Sequence, residues 1–133
     1  MRVSKLTLQT SSGLHVISVT LAISRAEQQR GLKSVWHLPD ATGMLFLYGA
    51  PQEVTMWMKD TYLALDMIFI REHGIVHRIE SPAAPLSSTV IPSRGEVVAV
   101  LEVAAGTAMR LGLKPGDQVL HPAFVRGGAW DPA

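Results

Sequence analysis

The 133-residue sequence contains no cysteine, which excludes disulfide bonds, thiolate nucleophiles and thiolate metal sites. It also lacks a run of basic residues. Its 12 Lys and Arg are spread along the chain against 11 Asp and Glu, and the formal net charge is +1. Proteins that bind nucleic acid through phosphate contacts usually gather their cations into a patch or stripe. The charge pattern therefore argues against DNA or RNA as a partner.

Long apolar runs are absent as well. No stretch approaches the ~20 apolar residues of a membrane-spanning helix, and the opening MRVSKLTLQTSSGLHV has no apolar core long enough for a secretory signal. Hydrophobic residues still make up 47% of the chain and charged residues 17%, which leaves ample apolar surface for a folded core. At this length we expect a single domain over residues 1–133.

The common catalytic and metal-binding motifs are missing too. There is no G-x-S-x-G nucleophile elbow and no glycine-rich phosphate loop. His73 and His77 are four residues apart, but the surrounding pattern places them on a turn and a strand, where four residues span ~13 Å. That separation is too large for both to bind one metal ion, so we expect neither a metal nor a cofactor.

What the sequence does contain is a series of short apolar runs separated by turn residues, a pattern typical of mostly β domains. The predicted strands cover residues 5–9, 14–21, 43–47, 54–59, 65–71, 75–79, 97–103 and 118–121. The runs at 65–70 and 75–79 are separated by only four residues, 71-REHG-74, which predicts a hairpin.

Two segments break the β pattern. In 24-SRAEQQRGL-32, Ser24 and Glu27 fit a reciprocal capping box, which predicts one short helix over residues 24–31. In 106-GTAMRLGL-113, Gly112 closes one or two helical turns. The stretch 81-SPAAPLSSTVIPSRG-95 is the longest predicted loop, of the kind that often flanks a site.

The segment 55-TMWMKDT-61 combines an aromatic ring with charged residues. As a strand it would place Trp57 and Lys59 on one face and Met56 and Met58 on the other. The ring of Trp57 could then stack a sugar or an apolar group while Lys59 holds an anion. In the alternative, Trp57 belongs to the core and Lys59 extends past it to solvent.

Asp66 lies within the apolar run 62-YLALDMIFIR-71, where a buried carboxylate needs a partner. Its candidate partners are Lys59, Arg30, or the backbone amides and the Thr61 hydroxyl of the connecting turn. A structural pair is one interpretation. The other is a catalytic carboxylate, because burial beside a cation is also how acids are tuned.

Several pieces of the chain, taken in order, resemble a bacterial and archaeal family known as domain of unknown function number 192. They are 27-EQQRGL-32, 43-GMLF-46, 57-WMKDT-61, 65-LDMIFI-70, Gly74, Ser93, 101-LEV-103, Gly106 and 116-GD-117, and they span roughly residues 20–120. The chain departs from the family pattern at Asp60, where Asn is usual, and at Ala64, where Pro is usual.

This resemblance implies a compact β-sandwich or barrel-like fold with little helix. It also implies relatives that are often exported, since many carry an N-terminal signal or lipoprotein segment. It brings no activity, substrate or cofactor with it.

Three functions follow from these patterns. The first is a non-catalytic domain that binds a small polar or anionic ligand, such as a glycan or a peptide carboxylate. Its predicted site consists of Trp57, Lys59, Asp60, Thr61 and Asp66, with Arg30 and Ser93 nearby. The second is a hydrolase-like enzyme with Asp66 or Asp60 as general acid or base and Lys59 stabilising negative charge. The third is purely structural, with Lys59 and Asp66 joining strands and Trp57 filling the core.

Overall fold

The computed structural model describes residues 2–125, so residue 1 and residues 126–133 of the expected domain lie outside the described range. The strands within it are β1 (Val3–Thr10), β2 (Gly13–Ala22), β3 (Thr42–Gln52), β4 (Thr55–Met56), β5 (Leu65–Arg71), β6 (Ile75–Ala83), β7 (Ile91–Pro92), β8 (Val97–Ala104) and β9 (Gln118–Leu120). Seven of them form a closed barrel in the order β1-β2-β3-β8-β5-β6-β9, and β4 pairs with β7 in a separate small sheet.

The prediction of a mostly β fold with little helix is confirmed, and the barrel is the correct one of the two expected architectures. The predicted hairpin is also confirmed, since β5 and β6 pair antiparallel on either side of a 3-10 turn, Glu72–Gly74. Two strands extend well past their predicted ends. β3 continues past an irregularity to Gln52, and β6 extends through Ala83 into the region expected to be loop.

The strand predicted over residues 54–59 is wrong in extent, because only Thr55–Met56 is a strand. The antiparallel register pairs Thr55 with Pro92 and Met56 with Ile91, so residues 57–59 would need strand partners before Ile91, where the chain is a loop. The chain then turns, with the Thr61 amide donating to the Met58 carbonyl at 3.0 Å and Asp60 at a φ of 60°. The predicted alternation of side chains nevertheless holds, because Met58 is buried and both Trp57 and Lys59 are exposed.

Both predicted helical segments are confirmed. The first is α1 (Arg25–Arg30), which has the expected capping box: the Glu27 amide donates to Ser24 Oγ at 3.1 Å, and the Ser24 amide donates to Glu27 Oε1 at 3.0 Å. The second is α2 (Thr107–Leu111), which ends at Gly112 with a φ of 74°. Within residues 2–125, neither helix is long and apolar enough to cross a membrane.

The barrel has one apolar core inside and a second core outside its wall. The inner core draws on all seven barrel strands, with Ile17, Ile68 and Leu101 among its buried residues. The outer core covers the other face of β3, β5 and β8 and includes Phe46 and Met58. The connection between the parallel strands β2 and β3 supplies part of this outer layer, because a parallel pair needs a crossover and this one carries α1.

Candidate functional site

A cleft of about 490 Å³ opens on the outer core, between α1 and the segment 55–61. Its floor is formed by the outer face of β3 and β8. The residues that line it are Arg25, Gln28, Gln29, Arg30, Gly31, Leu32, Lys33, Phe46, Tyr48, Thr55, Met56, Trp57, Lys59, Thr61 and Glu102. The volume lies in the range of ordinary small-molecule sites.

Four cations surround this cleft. Arg25 and Arg30 come from α1, Lys33 follows it in the chain, and Lys59 lies on the opposite side. The only ion pair among residues 2–125 joins Arg78 to Glu80, so none of the four has a carboxylate partner there. Four like charges around one concavity repel each other and favour an anion between them.

Helix α1 is held firmly enough to position its two arginines. The Gln28 side chain Nε2 donates to the Ala22 carbonyl at 3.1 Å and to the Leu47 carbonyl at 2.8 Å. These bonds connect the helix to the end of β2 and to the middle of β3. Together with the capping box they fix a helix of only six residues, which would be marginal alone.

The opposite side of the cleft is a short segment anchored at Met58. The Met58 side chain is 1% exposed, whereas the Trp57 ring beside it is 50% exposed. Lys59 Nζ lies 5.6 Å from the Trp57 ring centroid, a cation–π distance. The Met58 amide donates to the Ser87 carbonyl at 3.2 Å, which joins this segment to the loop before β7. An aromatic face and a cation are thereby presented together beside the cleft.

Glu102 reaches the cleft floor from the middle of β8. In the sheet it lies opposite Met44 of β3 and Met67 of β5, and it is only 4% exposed. Burial in these surroundings raises the pKa of Glu102 to about 8. No hydrogen-bond donor and no cation of residues 2–125 contacts its carboxyl group, whose oxygens reach the cleft surface. Glu102 is therefore protonated at neutral pH and has unused hydrogen-bonding capacity.

Two residues with hydroxyl groups also line the cleft. The Tyr48 hydroxyl donates to Met56 Sδ at 3.5 Å. Burial is the main cause that raises the pKa of Tyr48, and the charge of Glu102 is the second. Thr61 is 6% exposed and also lines the cleft. Within residues 2–125, no three His, Asp or Glu side chains converge in the manner of a metal site.

The structure brings four of the seven predicted site residues together. Trp57, Lys59, Thr61 and Arg30 all line the cleft. Asp60 does not line it, because it occupies the exposed turn.

Ser93 is likewise outside the cleft and wholly buried. Its Oγ accepts from the Val54 amide at 3.0 Å and donates to the Gly95 carbonyl at 2.7 Å. The second bond closes the turn before β8, and the first connects this turn to the chain just before β4, so the contacts of Ser93 are structural.

Asp66 is buried as predicted, at 0% exposure, and backbone amides are among its partners, but they do not come from the connecting turn and none of the predicted side chains binds it. Its carboxylate accepts from the Ser81 hydroxyl, from the Gly106 amide at 3.1 Å and from the Ala108 amide at 2.9 Å. The reason lies in α2, which begins at a glycine and so has no side-chain cap of its own. Asp66 supplies that cap from β5, and neither Lys59, Arg30 nor Thr61 is hydrogen-bonded to it.

The most distinctive cleft residue, Glu102, is one that the sequence predictions missed. The signal was present, because Glu102 is the single charge in 97-VVAVLEVAAG-106, just as Asp66 is an isolated charge in its own run. Arg25 and Lys33 were missed for another reason. They are ordinary surface cations in the sequence, and only the crossover between β2 and β3 brings them to the cleft.

The fold and the cleft define a small closed β-barrel protein with a cation-rimmed concavity on the outside of its wall. The chain belongs to the DUF192 family, described as Uncharacterized ACR, whose model matches residues 6–121. The resemblance drawn from the short motifs is thereby confirmed.

Solved structures share this fold closely. A candidate transcription regulator from Sinorhizobium meliloti 1021 has 41% sequence identity and a TM-score of 0.87, over 90% of this chain and 93% of that one. A protein of unknown function from Novosphingobium aromaticivorans DSM 12444 has 40% identity and a TM-score of 0.87, over 90% of this chain and 85% of that one. Among curated proteins, no sequence matches the chain.

Proposed function

We propose that this protein is a binding domain for a small anionic ligand, which lies in the cleft between α1 and the segment 55–61. The observation that carries the proposal is the group of four cations, Arg25, Arg30, Lys33 and Lys59, that surround the cleft without carboxylate partners among residues 2–125. An anion placed among them relieves their mutual repulsion and gains charge-assisted hydrogen bonds.

The aromatic side of the cleft supports the same proposal. Trp57 is half exposed, although a tryptophan side chain gains much from burial. Its ring stands beside Lys59, so one ligand can stack on the ring and place its anionic group near the ammonium. The α1 side is held by the hydrogen bonds of Gln28 and the opposite side by buried Met58, and a preorganised site of this kind loses little entropy on binding.

The two alternative functions lack such support. The carboxylates of the enzyme hypothesis, Asp60 and Asp66, do not line the cleft, and Asp66 is occupied with the cap of α2. The structural hypothesis needs Lys59 to reach Asp66 and Trp57 to be buried. Lys59 instead lines the cleft beside a half-exposed ring.

The test is isothermal titration calorimetry with galacturonate, citrate and phosphate as probes. We expect at least one anion to bind, and we expect Lys59→Ala and Arg30→Ala each to weaken it about tenfold, as one lost charge-assisted hydrogen bond would. Lys114→Ala is the matched control, because Lys114 is an exposed cation that does not line the cleft. Binding that is unchanged by both cleft variants, or no binding by any anion, would contradict the proposal.

A further inference from the structure

The Glu102 carboxyl is an unusual group to find at the floor of this cleft. A buried carboxyl group normally receives hydrogen bonds from the protein, and one that receives none must take them from water or from a ligand. The other buried carboxyl in an apolar strand, that of Asp66, has three donors. Glu102 has none among residues 2–125, and its oxygens face the cleft.

We propose that Glu102 is the second recognition point of the ligand, and that the ligand class is a hydroxylated carboxylic acid of about the size of one sugar-acid ring. The ligand's carboxylate lies among the rim cations, and one of its hydroxyl groups exchanges a hydrogen bond with the Glu102 carboxyl. This inference rests on the proposed function, because it uses the same cleft and the same cations.

The protonation state of Glu102 selects a hydroxyl group over an amine. Because burial raises the pKa of Glu102 to about 8, the carboxyl is neutral at pH 7, with one O–H donor and an acceptor oxygen. A hydroxyl group matches that pair without any change of charge. An ammonium group could use only the acceptor oxygen and would leave the carboxyl O–H without a partner, and it would also be repelled by the four cations of the rim.

The shape of the cleft favours a ring compound. Its volume of about 490 Å³ exceeds that of acetate or phosphate several times over and accommodates one sugar ring with its bound water. The half-exposed face of Trp57 provides a flat surface for such a ring. The rim and the floor are on different sides of the cleft, which suits a ligand whose acid group and hydroxyl groups lie on different edges.

The decisive comparison uses two probes, galacturonate and cyclohexanecarboxylate, which share a six-membered ring and a carboxylate but differ in hydroxyl groups. In calorimetry at pH 7 we expect the wild type to bind galacturonate about tenfold more tightly than cyclohexanecarboxylate. A difference of this size corresponds to the free energy of one or two hydrogen bonds. Glu102→Leu should lose this preference while still binding cyclohexanecarboxylate. Glu102→Gln should retain it, because an amide keeps a donor and an acceptor without charge.

The pH dependence provides a second readout. The charged or titratable groups that face Glu102 across the cleft are Tyr48 on β3, Lys59 on the opposite segment, Arg25 and Arg30 on α1, and Lys33. Above pH 8 ionised Glu102 repels the ligand's carboxylate, so the galacturonate affinity of the wild type should fall between pH 7 and pH 9. The Glu102→Gln affinity should change less over the same range.

The outcomes separate the two proposals. If neither carboxylate binds, the proposed function and this inference both fail. If both probes bind the wild type equally, or if Glu102→Leu keeps the galacturonate preference, the cleft is an anion site and Glu102 has no part in recognition. Trigalacturonate identifies the source of the ligand: tighter binding than galacturonate indicates a uronic acid unit of a polysaccharide, and weaker binding indicates a free sugar acid.

Discussion

Two carboxyl groups in neighbouring barrel strands show how environment decides the role of the same functional group. Asp66 pairs in register with Val103, and Glu102 pairs with Met67, so the two residues lie one step apart along adjacent strands. Asp66 points toward α2 and receives three hydrogen bonds. Glu102 points to the opposite face of the wall, among methionines, and receives none from residues 2–125.

Glu102 should make the stability of the protein depend on pH. Its pKa is about 8 when folded and close to 4.5 when unfolded, so between these values the folded state binds one proton more. The free energy of unfolding therefore falls as pH rises through this window, by roughly 1.4 kcal/mol per pH unit from this group alone. We expect Glu102→Gln to be more stable than the wild type at pH 7.5 and similar to it at pH 4.5.

Urea unfolding of both proteins across this pH range measures the effect. Burial lowers the pKa of His121, so this residue makes the free energy of unfolding rise with pH, which is opposite to the effect of Glu102. Both proteins contain His121, so its contribution cancels when their stabilities are subtracted. A stability difference that stays constant from pH 4.5 to 7.5 would mean that folding does not shift the pKa of Glu102.

Asp66 should contribute through hydrogen bonds to the start of α2. Asp66→Asn places an NH₂ group either at Oδ1, which accepts from Ser81, or at Oδ2, which accepts from the Gly106 and Ala108 amides, and it removes the charge from the remaining bonds. We therefore expect a loss of about 1–3 kcal/mol in the free energy of unfolding. Asp60→Asn is the control, since asparagine tolerates the left-handed conformation of this exposed turn. Equal unfolding midpoints in urea for the two variants would show that the Asp66 cap of α2 does not stabilise the protein.

At the scale of elements, the sequence predicted those whose signals are local. The capping box of α1, the turn at Gly112 and the β5–β6 hairpin all depend on residues a few positions apart, and all three are confirmed. The strand over 54–59 is shorter than predicted because its length depends on a partner, and the residues before Ile91 that would face 57–59 form a loop. The cleft was predicted only in part, since Trp57 and Lys59 are two residues apart in sequence. Arg25 and Lys33 meet them only through the crossover, and Glu102 meets them only through the pairing of β8 with β3.

The capping box connects the stability of α1 to the geometry of the cleft. Ser24→Ala removes the acceptor of the Glu27 amide, so we expect a loss of about 1 kcal/mol in stability. Since α1 has only six residues and carries Arg25 and Arg30, the galacturonate affinity should fall as well. Ser11→Ala, in the exposed turn between β1 and β2, is the control and should change neither quantity.

At the scale of the whole molecule, the strands β3, β5 and β8 contribute one face to the inner core and the other face to the outer core, and the two cores have different roles. The inner core holds the barrel together, and the outer core seats the segments that border the cleft on the same strands, β3, β5 and β8. Because the strands are shared, loss of packing on either side lowers global stability. Only the outer side, however, is in contact with the residues that surround the cleft.

This division can be tested by removing one buried side chain from each core. Leu101 is 0% exposed in the inner core, and Met58 is 1% exposed in the outer core between Trp57 and Lys59. Leu101→Ala and Met58→Ala should each cost about 2–5 kcal/mol in urea unfolding, by lost transfer energy and by the cavity left behind. Under conditions where both remain folded, Leu101→Ala should bind galacturonate like the wild type. Met58→Ala should bind it several-fold more weakly, because the anchor that orients Trp57 and Lys59 is gone. If instead both variants lose affinity in proportion to their loss of stability, the cleft depends on the entire barrel and the two cores act as one unit.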